Sequence, residues 1–263
     1  MFKEPEQQLV AANKCEGVCC GLVSEQAMLD NCVAYSDVDF PLVADANQVR
    51  DVQRGAMEAE QVWRQVVEHF AKSGLDCLQW SFPLGRAEDS VVSFLRAHGF
   101  IERRVTAMAM QVPPGLQVDD SLRMFPAGSV EQHYIALQRE AHDRFSAEVA
   151  DQMVQYLLRR LGRPRLESYV AFYGKVPVGT LELLSVGPVG RIANVHVAAS
   201  HRRRGVATGM FAWMFNLCLQ RSRKCVCLSV AKDQPVALEL YQKLGFQQVG
   251  ELISYLSPGL GES

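Results

Sequence analysis

The hydrophobic positions in the second half of the chain recur with periods that distinguish helices from strands. Apolar residues three and four apart over 130–141 and 148–161 predict two helices, the second of which stops at Gly162. Alternation over 169–173 and 178–185, around the turn Gly174-Lys175, predicts a β-hairpin. The same pattern predicts further strands at 122–125, 192–198 and 225–230, and further helices at 206–218 and from Pro235 to Gly245.

The first half of the chain repeats part of this pattern. A helix is predicted at 58–71, a strand at 78–82 and a second helix at 89–100. The last helix ends in Gly99-Phe100, and the helix ending Gly245-Phe246 follows it by 146 residues (246 − 100). This repetition predicts two copies of one domain, 1–115 and 120–263, joined by a linker rich in proline at 112–120. The alternative is chance similarity between two common helix endings.

A basic turn separates the predicted strand 192–198 from the predicted helix 206–218. It reads His201-Arg202-Arg203-Arg204-Gly205. The first N–H groups of a helix have no partner within it and the helix dipole is positive there, so this turn is a candidate anion site. Gly205 lets the main chain come close to a ligand, and the spacing differs from that of a nucleotide-triphosphate P-loop. The alternative is a solvated basic turn before a core helix.

Two motifs in this region resemble the signatures of the GNAT superfamily of N-acetyltransferases. The phosphate signature Q/R-x-x-G-x-G/A is matched by Arg202, Gly205 and Ala207. The second signature, A-x-x-L-Y-x-K-x-G-F, is matched by Ala237, Leu240, Tyr241, Lys243, Gly245 and Phe246. The resemblance covers roughly 122–256 and implies the element order β-α-α-β-β-β-α-β-α-β.

The resemblance implies an α/β (mixed α+β) fold with two tandem GNAT-like domains. Each would hold a central, mostly antiparallel twisted sheet flanked by helices. The domain at 120–263 would bind acetyl-CoA, and the domain at 1–115 would be a degenerate copy. In that copy Leu95 takes the place of Tyr241, and the turn near 52–55 lacks the arginine and glycine spacing.

The resemblance also implies an activity, the transfer of an acetyl group from acetyl-CoA to an amine by direct attack in a ternary complex. The strand at 194–197 would separate from its neighbour, pair with the pantetheine arm and bind the thioester oxygen through a main-chain N–H. Tyr241 would be the general acid for the departing thiolate. The residues implied to bind acetyl-CoA are Val195, His196, Val197, Arg202, Arg203, Arg204, Gly205, Val206, Ala207, Thr208 and Gln234.

No general base transfers from the family. Relatives often place a glutamate or histidine early in the strand before the phosphate turn, where this chain has Arg191 and Ala193. The open candidates on the strands are Asn194, His196 and Glu182. Glu140, His142 and Asp143 fall in a loop that lines the acceptor site in the family, or they are simply solvated charges.

Charge and composition limit the partners. Residues 1–120 contain 10 Lys and Arg against 18 Asp and Glu, whereas residues 121–263 contain 17 against 11. The basic half suits an anionic cofactor, and the acidic half either attracts a cationic amine or complements the basic half. Because no basic stripe with interleaved aromatic residues is present, we expect no nucleic-acid partner.

The remaining composition points to the cytoplasm. No stretch approaches 18 apolar residues and the start lacks the design of a signal peptide, so we expect no membrane partner. The eight cysteines are then expected to stay reduced. Cys15, Cys19 and Cys20 form no CxxC pair and have no nearby histidine, so we expect no metal.

Three functions stay open from the sequence. The leading one is the N-acetyltransferase, acting on a small-molecule or protein amine that the motifs do not identify. A catalytically silent CoA-binding sensor or docking protein is the alternative, motivated by the missing base. A nucleic-acid-associated protein using the basic half is the weakest, and the oligomeric state is not predicted.

Overall fold

The computed structural model describes residues 4–84 and 87–258. The helices in these residues are α1 (Pro5–Cys20), α2 (Ala59–Ala71), α3 (Asp89–Ala97), α4 (Glu131–Ala141), α5 (Ala147–Arg160), α6 (Val206–Gln220) and α7 (Pro235–Lys243). The strands are β1 (Glu25–Leu29), β2 (Cys32–Ser36), β3 (Gln48–Arg50), β4 (Gln79–Ser81), β5 (Ile101–Gln111), β6 (Leu122–Pro126), β7 (Leu166–Tyr173), β8 (Val176–Val186), β9 (Val189–Val197), β10 (Cys225–Ala231) and β11 (Gln247–Leu256). The order predicted for the second half, from β6 to β11, is confirmed.

All of these strands belong to one sheet, in the order β1-β2-β3-β4-β11-β5-β10-β9-β8-β7-β6. The centre of the sheet exchanges strands between the two halves of the chain. Strand β5 of the first half lies between β10 and β11, and β11 of the second half lies between β4 and β5. The predicted mixed α/β class with a flanked central sheet is confirmed, but the halves share one sheet instead of forming two.

Helices cover both faces of the sheet. On one face, Met210, Phe211 and Phe215 of α6 form a core with strands of the second half. On the same face, Phe70 of α2 packs near Trp80 in a second core. Helices α1, α4 and α5 pack on the opposite face. The molecule therefore has three layers, with the sheet in the middle.

The two halves end in the same three elements at a constant spacing. Strand β4, helix α3 and strand β5 begin at Gln79, Asp89 and Ile101. Strand β10, helix α7 and strand β11 each begin 146 residues later (225 − 79, 235 − 89, 247 − 101). The central antiparallel pair β5–β11 relates one half to the other, because each half places its last strand beside the other half's sheet.

Several elements of the first half are not predicted by the periodicity. The buried residues of α1 are mostly small, among them Ala11, Ala12 and Cys15, so they form no marked apolar stripe. Strand β3 has only three residues, too few to show alternation. Across residues 4–84 and 87–258, no helix is both long and apolar enough to cross a bilayer.

Candidate functional site

Strands β9 and β10 form a fork. They are parallel neighbours over three residue pairs, which end at Arg191 and Cys227. Strand β9 continues to Val197 and β10 to Ala231, and no further pairing between them is present in the described residues. The edge of β9 that faces β10 is thus open beyond Arg191. The predicted separation of the strand at 194–197 from its neighbour is confirmed.

A bulge distorts β9 at the fork. The register with β8 shifts between Thr180 and Glu182, and Asn194 has a left-handed backbone with φ of 48°. Opposite the bulge, a Cβ atom on Gly179 would lie 2.6 Å from the His196 carbonyl oxygen and 2.9 Å from the sulfur of Met210. The close approach of β8 and β9 at this point therefore requires glycine.

The basic turn leads directly from β9 into α6. Arg203 and Gly205 have left-handed backbones, with φ of 62° and 79°, and Gly205 caps the helix without a side-chain hydrogen bond. The first backbone bond of the helix runs from the Gly209 N–H to the Gly205 carbonyl, so the N–H groups of 206–208 face away from the helix body. Arg202 donates from Nε to the Val197 carbonyl at 3.0 Å, which ties the turn to β9.

Most of the turn is accessible to a ligand. The side chains of Arg202, Arg203, Arg204 and Thr208 are exposed, as is Gly205, whereas Val206 is buried beneath the helix. A solvent-facing helix N-terminus with three cations beside it is the arrangement that binds phosphates. The structure thus brings the predicted turn and the predicted strand residues 195–197 into one continuous segment.

Two predicted residues lie on the β10 side of the fork. Gln234 is exposed and is the N-cap residue of α7. Tyr241 is buried in the core beside α6, with its ring centroid 5.5 Å from that of Phe211. Burial raises the pKa of Tyr241 to about 12, so the phenol keeps its proton at neutral pH.

A cavity of about 860 Å³ lies beside the fork, on the face covered by α1, α4 and α5. From the second half it is lined by Arg191, Asn194 and Gln234, and by the α4–α5 loop with His142. From the first half it is lined by α1, β3, β4 and residues 101–105 of β5. Both halves of the chain therefore build the wall opposite the fork, which the motifs alone do not predict.

Glu182 is not free to act as a base. It is fully buried, and each of its carboxylate oxygens accepts two hydrogen bonds. Tyr134 and Ser168 donate to Oε1, both at 3.0 Å, while Arg160 at 3.1 Å and Asn194 at 2.7 Å donate to Oε2. The charge of Glu182 and the amide of Asn194 are thus committed to holding β8, β9 and the two helices together.

The two histidines differ in what their rings contact. His196 points toward α4, where its Nε2 lies 3.6 Å from Glu140, and burial lowers its pKa below the usual range. His142 ends α4 and lines the cavity. Its Nδ1 lies 2.7 Å from the Gln138 carbonyl, and because a carbonyl can only accept, Nδ1 carries the proton. The His142 Nε2 is then the basic nitrogen.

Burial also lowers the pKa of His142 below the usual range, with the nearby Arg144 acting in the same direction. A ring held in one tautomer and kept neutral is suited to accept a proton. The sequence places His142 in the acceptor loop but gives no sign of this tautomer, because the orientation depends on the end of α4. In the described residues no group of three His, Cys, Asp or Glu side chains could hold a metal ion.

Comparison with known proteins supports the relationship that the motifs indicate. Residues 134–246 match the family model described as "Acetyltransferase (GNAT) family". No curated protein sequence is significantly similar to this chain. The match begins in α4 and ends after α7, so it contains the fork, the basic turn and Tyr241.

Solved structures share the fold over nearly the whole chain. A functionally unknown conserved protein from Staphylococcus epidermidis has 16% identity and a TM-score of 0.70, covering 90% of this chain and 94% of that one. A GCN5-related N-acetyltransferase from Kribbella flavida has 16% identity and a TM-score of 0.66, covering 95% and 96%. A tandem GNAT protein from the clavulanic acid biosynthesis pathway has 14% identity and a TM-score of 0.54, covering 89% and 80%. Residues 134–246 therefore match the GNAT acetyltransferase family, and the fold that surrounds them is shared with these solved structures.

Proposed function

We propose that the protein is an acetyl-CoA-dependent N-acetyltransferase whose first half completes the acceptor site but binds no cofactor. The observation that carries this proposal is the fork between β9 and β10, which opens beside an uncapped helix N-terminus flanked by three exposed arginines. A thioester arm fits an open strand edge, and a diphosphate fits the helix N-terminus. The two features meet in one segment of the family's domain.

The donor would bind along this segment. The N–H groups of 203–208 and the side chains of Arg203 and Arg204 would hold the diphosphate, while Arg202 fixes the turn to β9. The open edge of Val195, His196 and Val197 would pair with the pantetheine arm, and Gln234 would contact this arm from the β10 side of the fork. A main-chain N–H of 195–197 would stabilise the oxyanion, which lowers a barrier by about 3 kcal/mol.

The residues of the site would then account for each proton that moves during acetyl transfer. The neutral amine of the acceptor attacks the thioester carbon and gives a tetrahedral oxyanion. His142 takes the proton of the amine nitrogen on Nε2, either directly or through one water. The C–S bond breaks as the carbonyl re-forms, and Tyr241 supplies a proton to the thiolate. A thiol pKa near 8.5 makes this last proton helpful without being indispensable.

His142 is the best supported base for two reasons. The proton on Nδ1 leaves Nε2 free, and the ring lines the cavity in which an acceptor would lie opposite the fork. Glu182 is saturated with donors, and the ring of His196 points toward Glu140 instead. General base catalysis contributes about 100-fold or more in rate.

The test is acetylation of a panel of amines by the purified protein, with CoA release followed by chromatography because eight free cysteines would react with a thiol reagent. We expect turnover by the wild type and a kcat about 100-fold lower for His142→Gln at pH 7. The rate of the wild type should fall at acid pH as His142 becomes protonated, at a lower pH than for an ordinary histidine because burial lowers its pKa, and the variant should lack this acid limb.

His98 offers a matched control. It ends α3, and its Nδ1 lies 2.8 Å from the Phe94 carbonyl, the same local contact that His142 makes, but it packs on Trp63 away from the cavity. His98→Gln should therefore keep the wild-type kcat. CoA binding without any acetylation of the panel would favour the sensor over the enzyme, and absence of both would refute the proposal.

A further inference from the structure

The part of the cavity floor that comes from the first half is polar although it is buried. Gln48 and Arg50 of β3 and Gln79 and Ser81 of β4 point to the cavity side of the sheet, and each is less than 9% exposed. The alternate residues Val49 and Trp80 point to the apolar core on the other face. Buried polar side chains are retained where they are paired or where they bind something.

Arg50 lacks the partner that a buried guanidinium needs. It is 7% exposed, and its Nη2 donates to Asn13 Oδ1 at 2.9 Å. Its Nε is buried without a hydrogen-bond partner, and among residues 4–84 and 87–258 no carboxylate pairs with it. Two other arginines of the cavity each pair with a carboxylate: buried Arg160 with Glu182 at 3.1 Å, although its Nε also lacks a partner, and partly buried Arg191 with Glu16 at 2.8 Å.

Glu16, a carboxylate near Arg50, already has other partners. Both oxygens of Glu16 accept from Arg191, at 3.0 and 2.8 Å, and Oε1 also accepts from Ser229 at 2.9 Å. Burial alone would raise the pKa of Glu16, but Arg191 and Arg50 lower it below its usual value. Two guanidinium groups thus lie near one carboxylate, and only Arg191 forms an ion pair with it.

The wider lining carries the same excess. Seven Arg or Lys residues and four Asp or Glu residues line the cavity, although the first half of the chain is acidic overall. A second buried atom also lacks a partner on this floor. Gln79 donates from Nε2 to Gln48 Oε1 and to Ser81 Oγ, both at 3.1 Å, while its Oε1 accepts nothing. The floor therefore offers one unused charged donor and one unused acceptor.

This floor is connected to the fork by the Glu16 network. Glu16 accepts hydrogen bonds from Arg191, the last residue of β9 that is paired with β10, and from Ser229 of β10. It also lies near Arg50, which lowers its pKa. An acceptor whose amine reaches the open edge of β9 would extend its other end toward β3. We propose that Arg50 binds a carboxylate of the acceptor, so that the acceptor class is a small amino acid and not a polyamine. This inference rests on the proposed function, because that function decides which end of the acceptor faces the open edge of β9.

A guanidinium binds a carboxylate through two parallel hydrogen bonds, so Arg50 would both select and orient the acceptor. A polyamine would instead bring a second cation toward an unpaired guanidinium. A site of buried polar groups rejects an analogue that cannot satisfy them, because those groups then stay unpaired.

The experiment compares amino acids with their own amides, which keep the amino group but lose the negative charge. Because the amine of an amide is less basic, each KM is expressed per concentration of neutral amine. Binding to the wild type is measured by calorimetry in the presence of CoA, and acetylation is measured separately. We expect each acid to bind at least tenfold more tightly than its amide, and to show a correspondingly lower KM. In Arg50→Gln the ratio of the two affinities should fall to about twofold or less, because the acid loses affinity while the amide does not.

Variants control for folding. Arg50→Gln keeps an amide for Asn13 and removes the unpaired charge, so its urea midpoint should equal or exceed that of the wild type. Arg191→Gln leaves Glu16 without its partner and should lower the midpoint. If Arg50→Gln does not fold, the comparison of acid with amide in the wild type still tests whether the site binds a carboxylate.

Equal binding of acids and amides by the wild type would overturn the inference, as would an equal loss of both in Arg50→Gln. Acetylation of amines without preference for acids would refute the inference and leave the proposed function standing. Selective binding of acids without any acetylation would support the carboxylate site and refute the proposed function.

Discussion

The two halves of the chain begin an equivalent helix in opposite ways. Helix α6 starts from Gly205, which has no side-chain cap, next to three exposed arginines. Helix α2 starts from Glu58, whose N–H donates to the Gln61 side chain at 2.9 Å. Glu60 adds a second negative charge to its first turn. One helix N-terminus is left for a ligand, and the other is closed by the chain itself.

The strand before each of these helices also differs in how far it stays paired with the strand that follows the helix. Strands β9 and β10 separate after Arg191, whereas β3 and β4 stay together. The Leu78 N–H donates to the Asn47 carbonyl at 2.9 Å, and the Val52 N–H donates to the Ser81 carbonyl at 3.2 Å. The first half therefore has no fork into which a thioester arm could enter.

In the proposed enzyme, one architecture therefore serves as a donor site in the second half and as a wall of the acceptor site in the first. The first half has one strand and one helix fewer than the second, and it satisfies its own backbone groups at the start of α2 and between β3 and β4. Two of its buried polar atoms without a hydrogen-bond partner, Arg50 Nε and Gln79 Oε1, lie on the cavity floor. The exchanged strands β5 and β11 fasten this wall to the donor half.

The largest expected effect comes from separating the halves. A fragment of residues 118–263 lacks β5, the antiparallel neighbour of both β10 and β11. Two central strands would then expose unpaired edges and the apolar positions that Ala107, Met108 and Ala109 cover. We expect this fragment to be unfolded by circular dichroism, and co-expression with 1–117 to restore the fold and acetyl-CoA binding. A well-folded isolated fragment that binds acetyl-CoA would show that the halves are independent.

A smaller effect is expected at the bulge that distinguishes β9. In Gly179→Ala the new methyl group would meet the His196 carbonyl, so β8 and β9 must separate. Overpacking of this kind costs about 2 kcal/mol, which should lower the urea midpoint and weaken acetyl-CoA binding. Gly128→Ala is the control, since a Cβ there has no atom within 4 Å. If both variants unfold at the same urea concentration, the close approach at Gly179 has no energetic weight.

The smallest effect is expected from single arginines. Arg204 is exposed at the start of α6, so Arg204→Ala should weaken acetyl-CoA binding by about twofold, and less at high salt. Arg54 precedes α2 and pairs with Glu88 at 3.1 Å. Arg54→Ala should leave the affinity for acetyl-CoA unchanged. Calorimetry at two salt concentrations measures both, and equal losses in the two variants would contradict the difference between the helix starts.

The sequence predicts the second half well because its signals are local. The apolar period of β6 to β11, the proline that begins α7 and the turn before α6 all act within a few residues. The exchange of β5 and β11 is not predictable in this way, since the partner of a strand depends on tertiary packing and not on its own alternation. The short strand β3 is missed for lack of length, although it carries Arg50.

The candidate site likewise combines residues that local motifs predict with residues that only tertiary contacts reveal. Residues 195–197, 202–208, Gln234 and Tyr241 come from motifs. The structure places 195–197 and 202–208 along one segment beside the fork, Gln234 at the start of α7 and Tyr241 in the core beside α6. The choice of His142 depends on the Gln138 carbonyl at the end of α4, and the cavity floor depends on contacts between distant segments. No local sequence signal marks the floor, because β3 consists only of Gln48, Val49 and Arg50.

The most direct test of the central claim is a binding cycle at Thr208, the third residue of α6. Thr208→Glu places a carboxylate at the exposed helix start, where it stabilises the helix and repels a diphosphate. We expect calorimetry to show a loss of about 30-fold for acetyl-CoA, roughly 2 kcal/mol, and no more than twofold for S-acetylpantetheine, which has no diphosphate. Thr208→Gln, of the same size without the charge, should bind both ligands like the wild type. Equal losses for both ligands in Thr208→Glu, or no loss for either, would contradict diphosphate binding at the start of α6.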